Sequence, residues 1–337
     1  YRQLHGNTEE APAETPPADR TENDNTARTE GEGDTGDTAD PDDGTEATKP
    51  AQPTPPLPDP DKPVPEDLRR EAADLTSRGL ALLAQEKVLP ARAALADALN
   101  TGALSPADEA KVRKHLARIA DVAVFSGKVL EGDRCAFFYR FKPGDVLVQV
   151  ERNQSLRVPT QIILRINGIE DARRIQAGQR VKLIRGPFHA VVDKSQRRMD
   201  LYQEEPQTGR MIFVRRLPVG VGKDGSTPPG RWRLAHGGKM THAAWTPPAS
   251  SDLRRKKILW GEPDYPLGKK GYWISLEGIR EEGNPHTRED GYGIHGTDDP
   301  SSIGRAVSLG CIRLADDGIE LVFSLLYEKH STVTILE

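Results

Sequence analysis

The chain has 337 residues but only two cysteines, Cys135 and Cys311, and no apolar run approaching the roughly 18 residues that a membrane-spanning helix needs. Two cysteines cannot build a disulfide scaffold, neither lies in a metal-binding spacing, and the eight histidines are scattered, so no metal and no cofactor is expected. Aromatic residues amount to 5% of the chain, and residues 1–66 hold almost no aromatic or branched apolar side chains. That segment carries 17 acidic residues, 5 basic residues and 12 prolines. It cannot bury enough apolar area to offset its chain entropy, so residues 1–65 are expected to form a disordered, acidic, self-repelling spacer. No secretory apolar region is present and the first residue is Tyr1, not methionine. The reading is a soluble chain whose upstream signal or membrane anchor has been removed or left out.

The whole chain has a net charge of −4, and residues 1–66 a net of −12, so the remainder is mildly basic at +8. That balance suits an acidic polymer as partner without demanding one, and nucleic acid is not expected. Between 66 and 121 the apolar spacing is helical. Leu68, Ala72, Leu75, Leu80 and Leu83 make one stripe, and Ala91, Ala94, Leu95 and Leu99 a second. Val112, Leu116, Ile119 and Val122 make a third, after Ser105-Pro106, where serine can cap and proline suits the first turn. These stripes predict a small unit of three helices over 66–123. Cys135, beside Ala136-Phe137-Phe138, reads as a buried strand residue.

From about 137 the pattern changes to short apolar alternation, with a strand running into Pro143-Gly144-Asp145, a helical middle with a turn at Asn167-Gly168, and a second strand closing 175–183. Beyond 187, strands are expected at 190–193, 199–202, 211–214, 217–221 and 332–336, and a helix over Asp316 to Lys329 with Ile319, Leu321, Val322 and Leu325 inward. The stretch 233–271, containing Lys239, Arg254, Arg255, Lys256, Lys257, Trp260 and Tyr265, has little periodicity and reads as a lid or binding loop.

Two short segments carry the chemistry: Gly-Tyr-Gly-Ile-His-Gly-Thr at 291–297 and Val-Ser-Leu-Gly-Cys-Ile-Arg-Leu at 307–314. A thiol is a poor nucleophile until it loses its proton, and a neighbouring imidazole can take that proton and hold the thiolate as an ion pair. Cys311 is thus a candidate nucleophile and His295 its base. Peptide N–H groups of Gly310 and Cys311 are candidate oxyanion donors. Arg313 could pair with a substrate carboxylate or brace the loop. Ser308 is more suited to holding the loop than to reacting, and Tyr272, Trp273 and Tyr292 could wall a cleft.

Together these segments resemble the L,D-transpeptidases of bacterial cell walls, the YkuD family, which shows Ile-His-Gly-Thr, a variable loop, and Ser-x-Gly-Cys-Ile-Arg. Ser226-Thr-Pro-Pro-Gly-Arg-Trp232 is similar to another segment of that family. The resemblance covers 187–337 and implies a mainly-β, sandwich-like catalytic domain in which the carbonyl of Gly296 orients the His295 ring. It also implies a substrate: the tetrapeptide stem of peptidoglycan, attacked at the carbonyl of its third residue, with release of D-alanine and transfer to an amine. Many members have histidine where this chain has Leu309. Residues 136–185 resemble the LysM module, two strands packed on two helices, which commonly binds glycan strands. The implied architecture is therefore α+β and multidomain: spacer, helical unit, LysM-like βααβ module and catalytic domain, in the cell envelope. L,D-carboxypeptidase activity, or an inactive wall-anchoring protein, are the alternatives, and the oligomeric state stays open.

Overall fold

A computed structural model describes residues 63–247, 257–279, 291–328 and 330–337 of the chain. Nearly all of the spacer expected over 1–65 lies outside the described residues. Among the described residues no helix is long and apolar enough to cross a membrane, and no group of three or more metal-binding side chains occurs.

Three helices come first: α1 (Glu66–Ala84), α2 (Val88–Asn100) and α3 (Pro106–Ala123). Ser105 caps α3 by accepting the Asp108 N–H at 3.1 Å, with Pro106 in the first turn, as its residue type demands. The third apolar stripe ends differently from the sequence reading. Val122 is exposed, while Ala120, Ala123 and Val124 are buried, because a 3.6-residue repeat from Ile119 falls nearer 123 than 122. Leu95, Leu99, Val112 and Leu116 of α2 and α3 pack on Tyr202, Met211 and Phe213. Beside this apolar contact, buried Arg113 of α3 reaches Asp200 and the Tyr202 hydroxyl, each at 3.0 Å.

Next in the chain are β1 (Ala136–Arg140), α4 (Leu147–Asn153), α5 (Thr160–Ile166) and β2 (Arg180–Ile184), in strand–helix–helix–strand order, with β1 antiparallel to β2 and Ala136 opposite Ile184. Cys135 is buried as expected but stands just ahead of β1, within 3.9 Å of buried Arg92. The burial pushes its thiol up to about 12. Lys182 of β2 is buried too, and its Nζ donates to the carbonyls of Ala123 and Ser126, both at 2.7 Å, at the C-terminal end of α3. There the ammonium meets the negative end of the helix dipole. One apolar cluster runs from Val124, Phe141 and Ile163 through Leu183 to Leu201, Ile294 and Val322, so the β1–β2 segment shares its core with the strand-rich region beyond residue 187.

The remaining strands are β3 (Phe188–Asp193), β4 (Arg198–Glu204), β5 (Met211–Pro218), β6 (Val221–Gly222), β7 (Gly230–Met240), β8 (Trp273–Gly278), β9 (Gly293–Gly296), β10 (Ala306–Ser308), β11 (Ile312–Leu314) and β12 (Thr332–Leu336). Eight of them form one mixed sheet in the order β11-β9-β8-β7-β12-β3-β4-β5, and β6 pairs with β10 in a separate parallel ladder. The region is strand-rich as expected, but its strands are gathered mainly in one sheet and not shared between two large ones. Leu217-Pro218 continues β5 and is not the start of a new strand. Residues 233–240, expected in a lid, belong to β7, and Arg254, Arg255 and Lys256 lie outside the described residues.

The last helix, α6 (Asp316–Leu325), buries Ile319, Val322, Phe323 and Leu325 but stops short of the expected Lys329, itself outside the described residues. Leu326 turns extended, and Lys239 Nζ takes up the carbonyls of Phe323 and Leu326 at 2.6 and 2.8 Å. Lys182 and Lys239 thus each close the C-terminal end of a helix.

Burial lowers the Lys182 ammonium from 10.5 to about 8, against a minor opposing pull from Asp133. Below pH 8 the folded state therefore bears a desolvation penalty on this ammonium, and the penalty is relieved as pH rises from 8 towards 10.5, where the unfolded chain still binds the proton. The stability of the wild-type protein minus that of Lys182→Met, measured by urea unfolding, should increase by roughly 2–3 kcal/mol across that window. A difference independent of pH would contradict the assignment.

Candidate active site

The position of Cys311 is set by strand register. β9 and β11 run parallel, with Ile312 opposite Ile294 and Arg313 opposite His295. Side chains alternate along a strand, so the isoleucines enter the core while His295 and Arg313 share the other face. Cys311, one residue before Ile312, comes level with Gly293, and its thiol lies 3.7 Å from the Gly291 carbonyl. Parallel neighbours need a crossover between them. The segment 297–311, with β10 inside it, supplies one, which accounts for the sixteen-residue separation of imidazole and thiol.

His295 is buried, and its Nδ1 stands 2.5 Å from the Gly296 carbonyl oxygen. A carbonyl only accepts, so Nδ1 carries the proton and Nε2 is left as the acceptor. Burial pushes the ring down to about 4; the Gly296 bond opposes this and the Arg313 charge adds to it. Burial also raises the Cys311 thiol above its ordinary value, opposed by a backbone hydrogen bond at Gly293 and by Arg313. The resting pair is therefore neutral thiol and neutral imidazole, where the sequence alone suggested a thiolate–imidazolium pair. Removing each group from water disfavours its charged form.

The turn before Cys311 is held from two sides. Ser308 Oγ donates to the Cys311 carbonyl at 2.6 Å and accepts the Gly310 N–H at 3.2 Å. Ser308 thus braces the loop through both bonds, and the Gly310 N–H, expected as an oxyanion donor, is engaged within the turn; the N–H of Cys311 is the candidate left. Thr227 forms the second brace: its buried Oγ1 accepts the Gly222 N–H at 2.7 Å and donates to the Gly310 carbonyl at 2.8 Å. Gly310 itself has φ +134°, and a Cβ there would lie 2.6 Å from the Tyr292 ring, so only glycine fits.

Among the aromatic candidates, Tyr292 lies against Gly310 and edge-on to Trp232. Tyr272 does not reach the site. Its ring stacks on Phe323 of α6 at 4.4 Å, because successive residues at the start of β8 point to opposite faces. Trp273 is the one that faces the site, stacked on His295 with centroids 5.3 Å apart and planes 12° apart. Leu309 is 57% exposed, so an imidazole at that position would stand outside the buried surroundings of His295. Sequence reasoning placed Thr227 inside a recognisable segment but gave it no task. Its bond spans 83 residues, and no local pattern announces it.

Thr227→Val keeps the shape and removes the hydroxyl, leaving a buried N–H and a buried carbonyl without their partner. Chemical unfolding should show a loss of about 2–4 kcal/mol, against less than about 1.5 kcal/mol for Thr227→Ser. Equal losses for the two would remove Thr227 as a hydrogen-bonding brace.

With this geometry in place, comparison with known proteins is specific. Residues 187–335 match the YkuD family, described as the L,D-transpeptidase catalytic domain. The protein YkuD of Bacillus licheniformis, assigned by name to the L,D-transpeptidases, is 29% identical over 191 residues, 54% of this chain and 90% of that one. The ErfK/SrfK protein of Escherichia coli, likewise named for that activity, is 30% identical over 142 residues, 40% of this chain and 39% of its own length. Among solved structures, an L,D-transpeptidase from Mycobacterium smegmatis is 15% identical, with 48% of this chain and 64% of that chain covered and a TM-score of 0.33. Residues 187–335 of this chain are thus similar to the L,D-transpeptidase catalytic domain of the YkuD family.

Proposed function

We propose that the protein cleaves the stem tetrapeptide of peptidoglycan after its third residue and transfers the acyl group to an amine of a second stem, linking the two through their third residues. The observation that carries this reading is the His295 ring fixed through Nδ1 to the Gly296 carbonyl, on a strand whose register brings Cys311 to the same face. As the Cys311 sulfur attacks the carbonyl carbon of the third stem residue, its proton passes to Nε2. The resulting oxyanion is stabilised by the Cys311 N–H. The C–N bond to D-alanine then breaks, Nε2 returns the proton to the leaving amine, and a thioester remains on Cys311. The acceptor amine attacks the thioester carbonyl, gives a proton to Nε2, and restores the thiol.

Arg313 supports a carboxylate-bearing substrate. It lies beside the pair, and its Nε is buried without a hydrogen-bond partner among the described residues. A guanidinium fork pairs well with the carboxylate that ends a stem peptide. We further propose that the β1–α4–α5–β2 segment acts as a LysM-like glycan holder, supported by its strand–helix–helix–strand order. Such a substrate places the protein in the cell envelope.

Incubation with a purified disaccharide tetrapeptide, with products weighed by mass spectrometry, tests the proposal. A dimer lacking one D-alanine is the expected product. A tripeptide monomer alone would replace transfer by hydrolysis, and no product would overturn both.

The neutral pair also fixes the pH behaviour. Turnover should persist into mildly acidic buffer and fall only as pH approaches about 4, where His295 takes up a proton and can no longer act as base. Alkylation of Cys311 by iodoacetamide should be slower at pH 7 than that of a free thiol and should climb through pH 9, with buried Cys135 contributing little. A plateau already reached below pH 7 would show a preformed thiolate and contradict the neutral pair.

A further inference from the structure

Trp273 touches His295 directly, and two further contacts fix the indole in that position. First, the two residues are direct partners across the antiparallel β8–β9 ladder, and their rings stack at 5.3 Å and 12°. Second, the indole lies over Gly293, the residue level with Cys311. A Cβ at 293 would stand 2.7 Å from its Cζ2 and 2.9 Å from its Cε2, so the second glycine of Gly-Tyr-Gly-Ile-His is what admits the ring. Third, the indole Nε1 donates to Ser275 Oγ at 2.7 Å, which fixes its rotation. The outer side of Trp273 packs against Ala243, Ile258, Tyr265 and Leu267. Leu267 belongs to the segment whose backbone crosses Gly296, the residue that orients the imidazole.

Acyl transfer through Cys311 requires His295 to become a cation for part of each cycle in a site that disfavours one. Among the described residues, the charge that acts on the ring is that of Arg313, from β11, which repels an imidazolium. β9 offers the Gly296 carbonyl, the 308–311 turn the neutral Cys311 thiol, and β8 the Ser275 hydroxyl, already engaged by the indole. What remains against the ring is the π-face of Trp273, and an aromatic face attracts a desolvated cation.

We propose that Trp273 is a positioning residue for His295, holding the imidazole in plane and stabilising the imidazolium formed when the Cys311 proton is transferred. The inference rests on the acyl-transfer reading for its purpose but not for its physical test. It also gives the segment around Leu267 a route to the base, since whatever displaces that segment uncovers the indole.

Trp273→Leu and Trp273→Phe, each checked for folding by circular dichroism and thermal unfolding, are compared with the wild-type protein in two measurements. In the first, kcat and KM are determined on disaccharide tetrapeptide. Leucine should lower kcat about tenfold, equivalent to about 1.4 kcal/mol, with KM changed less than twofold, and phenylalanine should recover most of the loss. In the second, the His295 ring is titrated by ¹⁵N NMR without substrate. Leucine should move its protonation to lower pH, and phenylalanine should move it less. If leucine leaves both kcat and the ring titration unchanged, or if KM rises in place of the fall in kcat, the proposal is wrong. Should leucine prevent folding, the phenylalanine variant decides alone: a titration identical to wild type overturns the proposal. If no substrate turns over even with the wild-type protein, the transfer reading fails, and the NMR titration still decides whether Trp273 supports the cation.

Discussion

The site depends on one pairing, the parallel alignment of β9 with β11 that sets Ile312 opposite Ile294. Those isoleucines are buried, so a slip of β11 by one residue would turn Ile312 out of the core and Arg313 into it. Core packing therefore fixes the register, and the register fixes the chemistry: imidazole and guanidinium side by side, with the thiol at the entrance of its strand. The crossover between the two strands is pinned along its length. Gly304 donates to the Val219 carbonyl, Val221 to that of Arg305, and Gly220 exchanges two backbone hydrogen bonds with Arg313.

On that frame the hydrogen bonds around Cys311 divide the work. Ser308 and Thr227 engage the carbonyls of Cys311 and Gly310, which turns the backbone oxygens away from the thiol and keeps the turn from relaxing. The Gly296 carbonyl settles the tautomer of His295. Burial then disfavours a charge on either group at rest, so the proposed transfer would create charge only as it proceeds. The desolvation that makes a resting ion pair unfavourable also strengthens each dipole aimed at the charges when they form. The rest of the fold supports this arrangement from behind. α6 begins directly after β11, its apolar face fills the same core as Ile294 and Ile312, and Lys239 closes its far end.

Much of this is legible in the sequence itself. Helix starts are readable because capping is local: Ser105 and Pro106 announce α3 within two residues. The thiol and imidazole are readable because histidine and cysteine each stand beside glycine in a short local pattern. What escapes the sequence is whatever depends on contacts between distant segments. The end of α6 falls earlier than its apolar period suggests because Lys239, on β7, takes up its last carbonyls. Residues 233–240 look irregular because β7 changes register between Leu234 and Lys239, which breaks the period-two alternation. Tyr272 and Trp273 look equivalent as neighbours in sequence, and only the pleat assigns one to the core and the other to the base. The neutral state of the pair escapes for the same reason, since burial is a property of the packed fold and not of two residues.

The central claim is that the turn at 308–311 presents Cys311 as the acyl-accepting atom. Intact-mass analysis of the protein quenched during turnover of a tetrapeptide stem tests it directly. The account predicts a mass increase equal to the acyl fragment without D-alanine, located by proteolysis on the peptide containing Cys311 and released by hydroxylamine as a thioester must be. An adduct on any other residue, or undiminished product formation by Cys311→Ala, would contradict it.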